Sequence, residues 1–420
     1  MTIDYPSYYN TFRCVGGSCK DSCCIGWEVD IDQETWDYYQ TVKGSFGNRL
    51  RAHMKDDGTD RYFPMCEDGR CPFLNKMNLC DIITNLGEES LSQVCTEYPR
   101  YFLEEGSFTQ IDLSLSCMEL GRIFFEDPDP VEYIREEFSE GVDDAENDTA
   151  TSEPLLKEIL DIRDDCIAII QNRSVPLMDR FCEIIRLYGP TEWRKPCDPS
   201  GDVNVHTDLI ASLRPTTLLP LMRQLEVLVA RWVHVLNEIT MLAEDSHLSS
   251  YLPWTTTRSD AAAPCPGEET FRKANERESA DIGFRTDFPL PEEFENATEG
   301  HLGIWFEKLA CYFLFRYVTD AYFQERDEKM CDVKERDEKK CDEKAHSQKR
   351  HDEREKAPRH AGVAASIRLA ARSICFLYLM CVSRYLKNEK HFSIDDIIDL
   401  AHLYSKEVEH SDWNVDFLKS

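Results

Sequence analysis

Apolar residues in the second half of the chain recur at helical spacing. Leu155, Ile159, Ile162, Cys166 and Ile169 fall three or four positions apart, which places them on one face of an amphipathic helix. Leu177 to Leu187 continues that pattern after Pro176, and Leu218 to Leu242 reads as one long apolar-rich helix. Helical spacing resumes from Phe294 to Phe323, and Ala361 to Leu418 predicts two packed helices. The second of these starts at Ser393, with Asp395 and Asp396 in its first turn, where the helix dipole favours acid. The first 125 residues are different, because glycine-rich turns interrupt every periodic stretch. One helix is predicted there, capped by Asp32 and running to Met54 with Trp36, Tyr39 and Val42 on one side. A hairpin follows, Tyr101–Leu103 against Ile111–Leu115 around the turn residues Glu104–Ser107.

The expected fold class is therefore mainly α, with a cysteine-rich, turn-rich N-terminal module that carries a small β-hairpin, followed by a multi-helix domain. The boundaries expected are 1–125 for the module, 126–252 for a helical domain, 253–291 for a Pro-, Ser- and Thr-rich linker, and 292–420 for a C-terminal helical region. Residues 324–358 form a charged insertion within that region, in which 326–331 and 336–341 repeat one another. With almost nothing apolar to bury, the insertion reads as a solvated helix or a disordered segment. Cys331 and Cys341 read as by-products of the repeat, since two thiols cannot close a tetrahedral shell.

No run reaches the roughly 18 consecutive apolar residues of a membrane helix, and Ser373–Val382 reads as a buried core helix flanked by Arg368, Arg372 and Arg384. The chain opens on polar and aromatic residues rather than on a cationic, then apolar, leader. A cytoplasmic protein without membrane contact is the expectation. Lysine and arginine number 48 against 79 acidic residues, a net charge of -31. Such a field repels nucleic acid and attracts a basic or lysine-bearing protein.

Cysteine changes the picture most. Nine cysteines, Cys14, Cys19, Cys23, Cys24, Cys66, Cys71, Cys80, Cys95 and Cys117, lie in the first 117 residues. A chain of 420 residues can bury a core without staples, and the compartment reads as reducing, which favours metal or iron-sulfur ligation over structural disulfides. Four soft thiolates close one such site. The usual C-x2-C zinc pair is absent from the module. Consecutive Cys23 and Cys24 are expected to point apart, which argues for two sites, or for one site with a buried bystander.

The order of these residues carries a resemblance. Phe12, Cys14, Cys19, Cys23, Cys24, Trp27 and Asp32 come first, then Cys71 to Leu74, Cys80, Leu86 to Leu91, and Cys95 followed by Tyr98, Pro99 and Arg100. Cys117 and, far downstream, Glu409, His410 and Ser411 complete it. This pattern resembles the bacterial flagellin lysine-N-methylases, a family with a cysteine-rich zinc- or iron-chelating domain. Eight cysteines fall on the family pattern (Cys14, Cys19, Cys23, Cys24, Cys71, Cys80, Cys95 and Cys117), and Cys66 does not. Met118 stands where the family tends to have proline after the last cysteine, and the charged repeat is an insertion.

The resemblance implies methyl transfer from S-adenosylmethionine to lysine ε-amines of flagellin, with an iron-sulfur centre, most simply 4Fe-4S, or zinc as the alternative. The sequence has no G-x-G-x-x-G fingerprint, so the donor pocket must be built differently from a Rossmann site. Methylation needs a neutral amine, whereas a solution lysine has a pKa of ~10.4. Tyr98 and Glu97 beside Cys95 are candidate catalytic groups, Arg100 could clasp the donor's carboxylate, and Trp27 could wall a sulfonium cation. Each has a structural alternative, a turn fixed by Pro99 or ordinary core packing. Two rival readings remain: a non-catalytic zinc- or iron-sulfur-binding scaffold, and a redox module.

Overall fold

The structure, a computed structural model, describes residues 1–138, 149–193, 212–243, 251, 291–338 and 360–420. The protein is mainly α-helical, as the periodicity predicts. Two compact units are distinguished: Met1–Gly141 with Ile397–Lys406, and Val142–Asp396 with Glu407–Ser420. The linker expected at 253–291, but for Pro291, and residues 339–358 of the charged insertion lie outside the described residues.

The first unit holds the cysteine module. Its larger sheet has the order β5-β6-β1-β7, built from β1 (Thr2–Pro6), β5 (Arg100–Glu105), β6 (Phe108–Leu113) and β7 (Tyr133–Glu137). The β5–β6 hairpin is the predicted one, with Arg100 opposite Leu113 and Gly106 at φ +55° in the turn. The opening residues, which carry no strand alternation, nevertheless form β1, parallel to β6 and antiparallel to β7. That pairing extends the unit past residue 125. A second sheet, β2 (Val29–Asp30), β4 (Arg61–Phe63) and β3 (Lys55–Asp56), lies over a core of Tyr39, Leu50, Phe63, Phe73 and Ile82.

The helix expected from Asp32 to Met54 is two helices, Gln33–Thr41 and Gly44–His53. Asp32 caps the first, accepting from the Thr35 amide at 2.9 Å. Gly44 sits at φ +82°, and a Cβ at Gly47 would lie 1.9 Å from the Val42 carbonyl oxygen, so glycine at both positions permits the break.

The described elements of the second unit are all helices. Leu302–Glu338 packs against Ala361–Lys387 and Thr149–Ile170, and Gly362 lets the first two approach closely, since a Cβ there would meet Ala321 at 3.0 Å. Ala361–Lys387 is long and apolar enough to cross a bilayer, but 83% of its most apolar window is buried inside the protein, the pattern of a core helix. The first charged repeat continues the Leu302–Glu338 helix.

The single helix expected at Leu218–Leu242 is also divided, into Pro215–Met222 and Ala230–Ala243. Tertiary bonds take the intervening amides: Leu228 and Val229 donate to the Glu407 carboxylate at 3.2 and 2.7 Å, and Glu226 donates to Asn414 Oδ1 at 2.8 Å. The C-terminal stretch makes three helices rather than two, Ala361–Lys387, Ile394–Val408 and Asp412–Lys419. Ser411 accepts from the Asn414 amide and so starts the third helix.

Candidate metal centre

All nine cysteines of the module are free thiols, and the eight on the family pattern gather into two neighbourhoods within the first unit. Cys24, Cys71, Cys80 and Cys95 border the same hydrophobic core, beside Tyr39 and Phe73. The Cys71 amide donates to the Cys24 carbonyl at 2.8 Å, and Leu74 and Cys80 form a β-bridge, which ties three of the four loops together. Burial pushes the Cys71 thiol up to about 12 and Cys95 up to about 11, and it raises Cys80 as well. Each of these thiols also feels the charge of Cys24.

The second neighbourhood is Cys14, Cys19 and Cys117. Cys19 feels Cys14, and Cys117 feels both. Burial pushes Cys117 up to about 11, against the pull of the Leu120 and Glu119 amides at the start of the Met118–Glu126 helix, which favour its thiolate. The Cys19 thiol donates to the Asp21 carbonyl at 2.9 Å. Cys23 belongs between the two groups, sensing Cys95 on one side and Cys14 on the other.

Cys23 and Cys24 do not point apart as the sequence suggests. Their thiols are hydrogen-bonded to one another, which raises Cys23 and lowers Cys24 to about 7, with burial opposing the second effect. The loop that carries them is followed by the Ile25–Arg70 bridge. Cys66, by contrast, is exposed in a tight turn in which the Cys66 amide bonds the Arg70 carbonyl.

The donor set is eight thiols, the chemistry that suits zinc or an iron-sulfur centre. Among the described residues no three His, Cys, Asp or Glu side chains stand close enough to hold one metal ion, so the thiols are neighbours and not a closed shell.

Of the other candidates, Trp27 and Tyr98 come together, with ring centroids 5.7 Å apart. The Trp27 indole donates to the Cys23 carbonyl. Tyr98 donates to the Ser116 carbonyl at 2.8 Å, and burial raises its phenol well above its ordinary value, with Cys117 and Cys23 adding to the effect. Arg100 lies over the rings of Tyr9 and Phe12 at 5.8 and 5.6 Å, and among the described residues no carboxylate pairs with it. Glu97 accepts from the Gln93 side chain at 2.9 Å and joins neither group.

Sequence reasoning misses the polar residues behind these loops. His402 Nε2 lies 2.7 Å from Asp21 Oδ2, and Lys406 Nζ lies 3.3 Å from the same oxygen. The His402 bond first, then the Lys406 charge, hold the Asp21 carboxyl down at about 2 in spite of its burial. Ser405 Oγ is 3.0 Å from Ser114 Oγ, which is 2.7 Å from Ser116 Oγ, which in turn is 3.0 Å from the Tyr98 hydroxyl. The one available signal is two buried polar residues, His402 and Ser405, on an otherwise apolar helix face.

A family model described as the FliB lysine N-methylase C-terminal domain matches residues 354–420. The lysine-N-methylases of Salmonella typhimurium and Salmonella choleraesuis are 27% identical over 135 residues and 28% over 136, covering 31% of this chain. These matches span 34% of each relative, so the chain corresponds to about a third of the length of either. The flagellar biosynthetic protein FliU of Salmonella muenchen is 27% identical over 135 residues, 80% of its length. No solved structure matches. The resemblance to lysine N-methylases read from the cysteine pattern is thus carried also by a FliB-type C-terminal domain, whose residues His402, Ser405 and Lys406 stand behind the cysteine loops.

Proposed function

We propose that this protein is a protein lysine N-methyltransferase that acts on flagellin in the cytoplasm, takes its methyl group from S-adenosylmethionine, and holds an iron-sulfur centre, with zinc as the alternative, on its N-terminal cysteines. The observation that carries this reading is the pairing of Trp27 and Tyr98 beside Cys23 and Cys117. An aromatic wall suited to a sulfonium cation thereby adjoins a thiol-rich centre. Relatives named lysine-N-methylase and a flagellar biosynthetic protein support the reaction and the substrate.

In this reading Cys24, Cys71, Cys80 and Cys95 hold one centre, and Cys14, Cys19, Cys117 and Cys23 hold the other. When loaded, such a centre would supply a zinc ion or iron-sulfur cluster held by these thiolates. Metal binding must displace protons, because burial keeps most of these thiols neutral. Arg100, which has no carboxylate partner among the described residues, receives the donor's carboxylate in a bidentate pair. The substrate amine loses its proton to water, and its lone pair then forms the N–C bond to the methyl carbon. The C–S bond breaks, and the electron pair stays on sulfur. Tyr98 acts as a neutral hydrogen-bonding wall, because its phenol is held protonated. The net acidic charge draws a lysine-bearing protein toward the site.

The test is to incubate anaerobically purified protein with flagellin and isotope-labelled S-adenosylmethionine, followed by peptide mass spectrometry. Label on flagellin lysines, lost in Cys24→Ser, is the expected result. Metal-loaded protein that transfers no label would favour the scaffold or redox reading.

A further inference from the structure

We infer that one face of the Ile394–Val408 helix is the positioning element of the second cysteine group, acting on Cys19 through Asp21 and on Cys117 through Ser114. This rests on the proposed reading of the cysteines as ligands. Ile398, His402, Ser405 and Lys406 are spaced by three and four residues, so they share a face. They reach three parts of the thiol frame within the first unit, with His402 and Lys406 sharing one. Ile398 packs where a Cβ on Gly121 would come within 3.0 Å, fixing the helix that begins just after Cys117. Ser405 bonds Ser114 at 3.0 Å, and the Ser114 carbonyl takes the Cys117 amide at 3.1 Å. His402 and Lys406 converge on Asp21 Oδ2, while the Asp21 carbonyl takes the Cys19 thiol.

The His402 ring is set for this role. Its side chain is 8% exposed, its Nε2 lies on the carboxylate, and its Nδ1 is buried with no hydrogen-bond partner. Its Nε2 faces a carboxylate oxygen at 2.7 Å, an acceptor, so the hydrogen of this bond is carried by Nε2. The histidine donates to a carboxylate whose own backbone carbonyl holds the Cys19 thiol in the metal-free protein. Outer residues of this kind change metal affinity about 10- to 100-fold when removed.

The experiment compares wild type with His402→Leu, His402→Gln and Lys406→Met. Metal per chain is measured together with the alkylation rate of each cysteine by peptide mapping. Glutamine keeps a side-chain N–H donor, whereas leucine does not. The expected result is an increase of about ten-fold or more in Cys19 labelling in His402→Leu, little change at Cys71, a smaller increase in Lys406→Met, and recovery in His402→Gln. Equal opening of Cys19 and Cys71 would reveal general unfolding and overturn the assignment, as would no change at Cys19. Wild-type metal content is a separate readout: a metal-free wild type overturns the ligand reading, while selective opening of Cys19 still supports the positioning role.

Discussion

The Glu407 carboxylate accepts the Val229 amide at 2.7 Å, and the buried oxygen it does not use for this has no hydrogen-bond partner among the described residues. Burial raises this carboxyl from 4.5 to about 7, although the Val229 and Leu228 amides pull it down. An acid raised in the folded state binds more protons there than in the unfolded chain. Stability from Glu407 is therefore greatest below about 4.5 and falls as pH rises through about 7. Asp179, raised by burial to about 6, adds the same sign lower in the range. Chemical denaturation at closely spaced pH values should show stability declining toward pH 7. Glu407→Gln should flatten the decline between about 4.5 and 7, most clearly above about 6 where Asp179 no longer contributes, and an unchanged slope in that variant would refute the assignment.

Glu307 receives Arg173 at 2.9 Å and Arg180 at 2.8 Å. The glutamate and Arg180 side chains are 2% and 9% exposed, so removing the acid strands a buried guanidinium. Glu307→Gln should cost about 3–5 kcal/mol in the denaturation midpoint analysis. Arg173→Ala, at the more exposed end, should cost about 1 kcal/mol. Equal losses would mean that the network does not depend on burial.

Helix existence was legible wherever apolar spacing ran uninterrupted, as at Leu155 to Cys166, because a 3.6-residue period needs no tertiary information. Helix ends were not. The break between Met222 and Ala230 depends on Glu407 and Asn414, nearly two hundred residues away, and that pairing leaves no mark on local sequence. The β1 strand was invisible for a similar reason: a short polar-aromatic stretch becomes a strand only because β6 and β7 lie on either side of it. Cysteine identity and order pointed to the site, yet the partition into two groups follows from loop closures such as Cys71 on Cys24. His402 gives only a weak signal in the sequence, because a lone histidine on an apolar helix is usually just core.

Tyr98 and Arg100 make separable predictions. Tyr98→Phe removes the hydroxyl bonded to Ser116 but keeps the ring against Trp27. With the phenol raised well above its ordinary value, the residue should not titrate in the working range. The variant should thus lower methyl transfer about ten-fold, on the scale of one hydrogen bond, and leave the pH profile in place. A loss of ~100- to 10,000-fold with a changed profile would make the tyrosine the general base instead. Arg100→Lys keeps the charge over Tyr9 and Phe12 and loses the bidentate fork. Its KM for S-adenosylmethionine should rise about ten-fold with kcat nearly unchanged. An unaltered KM would leave Arg100 as a stacking residue only.

Two separate thiol groups should load independently, because sites without shared ligands behave additively. Cys71→Ser, in the group around Tyr39, and Cys117→Ser, in the group at the Met118–Glu126 helix, should each remove about half of the bound metal, and the double variant nearly all. Cys66→Ser should keep the full complement, since that thiol stands exposed in its own turn. Cys23→Ser is the informative case, because its thiol bonds Cys24 while sensing Cys14. As a ligand of the second group it should cost that group's metal and spare the other. Metal analysis of the purified variants decides the matter: complete loss from either single change would mean one shared centre, and full retention in both would remove these cysteines from the ligand set.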